Sequence, residues 1–294
     1  MISPKGASLS PSVSRQRRVF LLAAAVAIGG VLALAPRSLT APLPDQVELA
    51  ELTWVEVRGL IEHGFTTAIV PSGGLEQNGP HLTIGKHDRI VAYTAKRIAT
   101  ALGRTLVTPV VSFVPEGEYD PPSGHMRFPG TIGVAPEVFA GTLEGIARSL
   151  KAAGFRTICF IADHGESLPV QNAVAERLGR EWARDGVKVV SVKGYAADPA
   201  QLAWLRSEGE SPASIGQHGG IQDTSELMAA YPAGVKLERW AERPAWSELT
   251  GVDGDPTRAS AERGRRLLEM KIEAAVSEIR AARGDLALRG PASD

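Results

Sequence analysis

Thr157-Ile158-Cys159-Phe160-Ile161-Ala162-Asp163-His164-Gly165-Glu166 decides how this chain folds. Its first five residues form an apolar run too short for a helix, rich in β-branched and aromatic types, and they read as a central strand. The run passes directly into an acid, an imidazole and a glycine. The same arrangement occurs earlier. Thr67 to Val70 reads as a short apolar strand, and a loop follows that contains Glu76-Gln77-Asn78-Gly79-Pro80-His81-Leu82-Thr83-Ile84-Gly85-Lys86-His87-Asp88. Helical patterns separate the strands. Thr53 to His63 carries Thr53 as N-cap and stops at Gly64, and Arg89 to Leu102 repeats apolar residues at Ile90, Tyr93, Ile98 and Leu102. Pro136 to Ala153 starts on proline and ends before Gly154, and Pro169 to Asp185 is a further helix. Leu106 to Val111, interrupted by Pro109, and Val187 to Val192 supply two more strands.

Strands alternating with helices imply an α/β fold with a mainly parallel central sheet covered on both faces. In open parallel sheets, ligands bind beyond the carboxyl ends of the strands. The loops after Val70 and Ile161, almost ninety positions apart, are therefore expected to meet at one rim. Past Val192 the pattern loosens. Pro199 to Ser207 and Thr224 to Ala230 read as short helices, residues 232–258 hold tryptophan and proline, and Ser260 to Arg283 is a strong final helix. No repeat or boundary divides the chain, so a single domain over residues 53–284 is expected, with a tail at 285–294.

The bulk numbers narrow the partners. The chain has 294 residues, 44% hydrophobic and 22% charged, ordinary for a globular protein. Net charge is −1. Residues 1–41 hold five of the 32 basic residues, Lys5, Arg15, Arg17, Arg18 and Arg37, and no acid, so the remainder is acidic. Nothing suggests nucleic-acid binding, which needs a basic face. The lone Cys159 excludes an intramolecular disulfide and reads as a core residue. Arg17-Arg18-Val19-Phe20-Leu21-Leu22 opens an apolar run that ends near Ala35. It reads as a twin-arginine export signal, with an exported, periplasmic protein as its consequence. Left uncleaved, a run of about 17 apolar residues is near the lower limit for a membrane anchor. Contact with the membrane is expected only there, and residues 42–52 read as a linker.

Five of the six histidines lie in Gly- or Pro-flanked segments beside acids or amides: His81, His87, His125, His164 and His218. Imidazole and carboxylate together are what borderline divalent metals take as ligands. Glu76, either His87 or Asp88, and His164 can supply a first shell, with Glu166 two residues beyond His164. A bound divalent ion lowers the pKa of its water to about 7 and polarises a carbonyl, which suits hydrolysis of an amide or cyclic amide. His125, Arg127 and Tyr119 are candidate substrate contacts, and Trp204, Trp240 and Trp246 are candidate walls of the pocket.

Taken together, these stretches resemble the creatininase family of metal hydrolases. Glu76 to Leu82 resembles its E-Q-H-G-P-H-L loop, and His125-Met126-Arg127-Phe128-Pro129-Gly130-Thr131 its H-x-x-F-P-G-T segment. His164-Gly165-Glu166 resembles its H-x-E loop, His218-Gly219-Gly220-Ile221-Gln222-Asp223-Thr224-Ser225 its H-A-G-x-x-E-T-S stretch, and Gly254-Asp255-Pro256-Thr257 its G-D-P-T/S turn. The likeness runs from about Thr53 to Arg283. It implies a three-layer α/β/α sandwich, a centre of one or two divalent ions (zinc first, manganese or iron as alternatives), hydrolysis of a non-peptide C–N bond in a small polar amide, and a homo-oligomer. It places metal ligands at Glu76, His164 and Glu166, a proton-transfer histidine at His218, and an acid near the substrate at Asp223. Asn78 and His81 fall among the substrate-side residues. Two departures stand out. Asn78 occupies the position of the family's second histidine ligand, and its bridging aspartate falls on His87, with Asp88 one residue later. An amide ligates poorly compared with imidazole, so one ion is expected, with Glu166 freed to act as general base. The alternatives are a deformylase or small-peptide hydrolase on the same centre, and a catalytically inactive periplasmic binding protein.

Overall fold

A computed structural model describes residues 45–196, 198–241 and 250–285. Residues 1–41, read above as an export signal, most of the C-terminal tail and Trp246 lie outside the described residues. Among those residues, no helix is long and apolar enough to cross a membrane.

Helix α1 (Trp54–Glu62) begins in a capping box in which Thr53 accepts from Glu56 N–H while the Glu56 carboxylate accepts from Thr53 N–H. Strand β1 (Thr67–Ser72) follows, then α2 (Lys86–Leu102), β2 (Thr105–Val107), α3 (Pro136–Ala153), β3 (Thr157–Ala162), α4 (Leu168–Glu181) and β4 (Lys188–Ser191). The four strands are all parallel, in the order β2-β1-β3-β4. Alternate residues face opposite layers, as the period of two requires. Ala68, Val70, Ile158 and Phe160 pack with Leu60 of α1, Phe139 and Leu143 of α3, and Val174 and Leu178 of α4. Ile69, Cys159 and Ile161 pack on the other face with Val91, Ala95 and Ile98 of α2 and with Ile272, Ala275 and Ile279 of the last helix. This is the expected three-layer sandwich in one domain.

Beyond β4 come α5 (Asp198–Ser207), α6 (Pro212–Ile215), α7 (Ile221–Ala230), α8 (Glu238–Ala241) and the long α9 (Ala261–Arg283), whose N-cap Ser260 accepts from Arg263 N–H. Helices α7 and α9 touch backbone to side: a methyl group on Gly264 would lie 1.7 Å from the Ser225 carbonyl oxygen, so only glycine fits there.

Three elements differ from the sequence expectation. Helix α2 starts three residues earlier than the apolar pattern, because Lys86, His87 and Asp88 complete its first turn with polar side chains, and Asp88 sits where the helix dipole favours an acid. Strand β2 is cut short at Val107, ahead of Thr108 and Pro109. Residues 45–52 are not a free linker: the Val47 carbonyl accepts from Val107 N–H at 2.7 Å, and a 3-10 turn covers Leu49–Glu51.

Candidate metal centre

The chain leaving β1 crosses through α2 to β2 on one side, and the chain leaving β3 crosses through α4 to β4 on the other, so the connections diverge from the carboxyl ends of the neighbouring strands β1 and β3. A crevice opens there. Glu76 leaves β1 four residues after Ser72 and is fully buried. Its N–H donates to the Ile84 carbonyl at 3.2 Å, and its own carbonyl accepts from Asn78 Nδ2 at 2.9 Å. With its backbone held at both ends, the carboxylate is fixed in the crevice.

Three imidazoles approach it closely. His87 Nε2 is 2.5 Å from Glu76 Oε1, His164 Nε2 is 3.0 Å from Oε2, and His125 Nε2 is 3.1 Å from Oε2. A fourth, His218, stands back with Nδ1 3.9 Å from Oε1. Among the described residues, two sets have their donor atoms within 4.8 Å of one another: Glu76 with His87 and His164, and Glu76 with His125 and His218. The first set is wholly buried. His87 Nδ1 donates to Asp163 Oδ2 at 2.7 Å, which leaves Nε2 to face the carboxylate. That is the carboxylate–histidine arrangement which orients metal-ligating imidazoles.

Lys271 of α9 donates to Asp163 Oδ1 at 2.8 Å and to Glu226 Oε2 at 2.9 Å, and Tyr195 Oη donates to Asp163 Oδ1 at 3.1 Å. Lys86 Nζ lies 3.0 Å from Asp223 Oδ1 and 4.0 Å from Glu76 Oε1. Glu116, fully buried, stands 3.2 Å from His164 Nε2. Among the described residues, Glu76, Glu116, Asp163, Asp223 and Glu226 thus confront two ammonium groups, Lys86 and Lys271. The excess of carboxylate shows in the histidines. Burial lowers the basicity of His164, but hydrogen bonds to Glu116 and Glu76 more than offset this and push its pKa up to about 10. His87 is raised in the same sense against burial and Lys86, by Glu76 and Asp163. Burial opposes ionisation of Glu76, yet His87, His164 and Lys86 hold its carboxyl well below the usual range. Asp223, opposed by burial and favoured by Lys86, is held down to about 2. The cluster therefore favours positive charge, and its N and O donors suit a borderline divalent cation. Glu76, His87 and His164 fit such an ion.

The centre opens into a cavity of about 610 Å³. Its wall includes His125, His218, Glu166, Asp198, Gln222 and Asp223. Burial, together with neighbouring His218 and Lys86, leaves the His125 pKa at about 4 despite Glu76. His218 is also lowered, by burial and then Lys86.

The remaining candidates lie elsewhere. Asp88 turns to the backbone, where its Oδ1 accepts from Gly74 N–H at 3.1 Å, so of the two neighbours only His87 faces Glu76. Glu166 is exposed at the rim and belongs to neither donor set among the described residues. Its place on the 3-10 turn Gly165–Ser167 swings it away from His164, whereas an extended loop would have set the two side by side. Asn78 and His81 are buried behind the wall. His81 Nε2 meets Thr224 Oγ1 at 2.9 Å, and its ring packs edge-on against Trp240. Arg127 and Tyr119 are exposed and off the cavity wall: Arg127 Nε donates to Gly124 O and Tyr119 Oη to Gly133 O. Trp204 packs against the α5–α7 core. Glu116, Asp163, Glu226 and Lys271 had no motif to announce them, although Asp163 adjoins the His164 motif.

The family model described as creatinine amidohydrolase matches residues 50–279. The chain belongs to the creatininase family. The creatinine amidohydrolase of Pseudomonas putida is 28% identical over 258 residues, covering 81% of this chain and 98% of that protein. The mycofactocin precursor peptide peptidase of Mycobacterium tuberculosis (strain H37Rv) is 28% identical over 237 residues, covering 72% and 83%. A solved creatininase described as the manganese form has a TM-score of 0.64 at 28% identity and covers 80% of this chain and 98% of that one. A zinc–zinc creatininase variant has a TM-score of 0.65 at 27% identity, covering 81% and 98%. As a creatininase-family member, the chain is a hydrolytic, amide-cleaving enzyme.

Proposed function

We propose that this protein hydrolyses the C–N bond of a small polar or cyclic amide with the help of one divalent ion held by Glu76, His87 and His164. The observation that carries this is the meeting of those three side chains on the inner wall of a cavity large enough for a small molecule. The ion supplies Lewis-acid polarisation of a carbonyl and activation of water. Manganese and zinc forms among the solved creatininases support that class of metal.

The chain's own residues supply the rest. Asp163 fixes His87. Lys86 and Asp223 neutralise one another on the wall below His218. His218 Nδ1, facing the Glu76 carboxylate from the cavity side, takes the proton of the attacking water and returns it to the departing amine nitrogen. Glu166 meets the substrate at the rim, and proton transfer falls to His218. The related proteins named for creatinine and for a precursor peptide bracket the substrate between a cyclic amide and a peptide amide; a cavity of about 610 Å³ favours the smaller.

Elemental analysis followed by turnover of cyclic and linear amides tests this. The purified protein is expected to carry about one ion per chain, to lose activity on chelation, and to regain it with Zn²⁺, Mn²⁺ or Fe²⁺. Two tightly held ions would overturn the single-ion centre, and binding without turnover under every metal would favour a binding module.

We also propose export by residues 1–41 through the twin-arginine route, on the strength of Arg17-Arg18 ahead of an apolar run. Changing both arginines to lysine is expected to keep the protein in the cytoplasm. Unchanged periplasmic yield in a cell-fractionation assay would count against it.

A further inference from the structure

His125 and His218 lie side by side on the cavity wall, ring centroids 4.5 Å apart, both turned toward Glu76. Gln77 sits behind them, buried, with its backbone N–H donating to Thr131 Oγ1 at 3.1 Å. Its side-chain amide is oriented by the network around it: Oε1 accepts from Gly79 N–H at 3.0 Å. A Cβ on Gly251 would lie 1.8 Å from the same oxygen, so the amide oxygen is seated against that glycine. The NH₂ end is left facing the rings, with Nε2 3.0 Å from His125 Nδ1 and 3.2 Å from His218 Nε2.

These contacts fix which ring atoms carry protons. An amide nitrogen only donates. His125 Nδ1 therefore accepts, and the proton of that neutral ring is on Nε2, the atom 3.1 Å from Glu76. His218 Nε2 is 2.9 Å from the Gln77 carbonyl oxygen, which only accepts. The approach of the Gln77 amide nitrogen to the same atom is longer, 3.2 Å, and is a close contact rather than a hydrogen bond; the nearer carbonyl takes the Nε2 proton, and Nδ1 is left with a lone pair toward the cavity. The two rings share one tautomer but turn opposite atoms to the centre. We propose that Gln77 is a positioning residue whose side-chain amide and carbonyl preset His125 as the hydrogen-bond donor, and His218 as the acceptor, beside Glu76.

The arrangement has two consequences. His125, Glu76 and His218 are close enough for a second ion, but a nitrogen that bears a proton cannot ligate, so this set is withheld from metal. In hydrolysis, an inference that rests on the proposed function, the bond from water oxygen to carbonyl carbon forms as His218 Nδ1 receives the water's proton. The carbonyl oxygen takes up the negative charge and accepts a hydrogen bond from His125 Nε2–H. When the C–N bond breaks, the proton passes from His218 to the amine.

Two-bond ¹H–¹⁵N spectra of histidine-labelled, zinc-loaded protein read the tautomers directly, with His125→Ala and His218→Ala to assign the signals. Both rings are expected to be protonated on Nε2. In Gln77→Glu, a carboxylate accepts where the amide donated, so the His125 proton should move to Nδ1 while His218, held by the backbone carbonyl, stays unchanged. Turnover of any amide the parent protein cleaves is expected to fall by about 10²- to 10³-fold, the usual cost of one oxyanion donor. A His125 proton on Nδ1 in the parent protein, or no change at His125 in Gln77→Glu, would overturn the proposal. The spectra need no substrate, so they stand or fall apart from the hydrolase reading.

Discussion

Glu76→Ala is expected to release the ion and abolish measurable hydrolysis. Glu76 is the one residue that every imidazole of the site approaches, and it is fully buried. Loss of an outer-shell partner typically costs 10- to 100-fold in metal affinity, and loss of this shared carboxylate should exceed about 100-fold. His164→Ala and His87→Ala are expected to behave in the same way. Asp88→Asn should retain its ion, because Asp88 serves the Gly74 backbone. Isothermal titration of chelated protein with zinc separates the two groups. A parallel thermal readout is available, since a ligand at 100 times its Kd stabilises by about 2.7 kcal/mol, and zinc should raise the Tm of Asp88→Asn and not of Glu76→Ala. Full metal content in Glu76→Ala would remove the basis for the centre. Loss of metal in Asp88→Asn with retention in His87→Ala would exchange the two assignments.

Lys271→Met is expected to be the most destabilising change away from the ion's own donors. Lys271 lies on the buried side of α9 between Asp163 and Glu226, whose side chains are 2% and 1% exposed. Removing one member of a buried ion cluster while leaving the others typically costs 3–5 kcal/mol, and about that is expected here. Urea unfolding with zinc present measures it, and a loss below about 1 kcal/mol would mean that the two acids find another partner. Burial disfavours the Lys271 charge, but Asp163 and Glu226 overcome this and raise its pKa well above the ordinary lysine value. A folded-state pKa raised in this way stabilises fully below the unfolded value of about 10.4 and is lost as pH climbs through the folded value. The gap between parent and variant should accordingly stay constant through neutral pH and narrow only in strong alkali.

Much of this architecture was legible in the order of residues. The apolar run at Thr157 and the shorter one at Thr67 identified the two central strands, and the parallel-sheet rule placed the loops after them at one rim, where Glu76 and His164 meet at 3.0 Å. The choice between His87 and Asp88 was not legible, because both were expected in a loop. Once α2 begins at Lys86, about 100° of helical rotation separates the two side chains and sends one to Glu76 and the other to Gly74. Glu116 escaped notice because it lies in irregular chain between Pro115 and Gly117, where no periodicity marks an inward side chain. Lys271 and Glu226 were hidden for the opposite reason: a charge within an amphipathic helix reads as solvated unless its partner, distant in sequence, is known. Arg127, inside the His125 to Thr131 segment, and Tyr119, a few residues ahead of it, were candidates by proximity and are both exposed at the surface.

His87 and Lys86 ride on the first turn of α2, Asp223 on the first turn of α7 and Lys271 on α9, and these three helices pack on one another. Another part of the cavity wall comes from Ala196, Asp198, Leu202, Ile215, Gly216 and Gln217, on α5, α6 and the turns beside them. Reactive floor and selective lip are thus separately encoded. Asp198, Leu202 and Gln217 can be recoded to admit a differently shaped amide while buried Gln201, which donates to Glu226 Oε1, stays in place and the cation's donors keep their spacing, so altered substrate preference should be sought at those three positions.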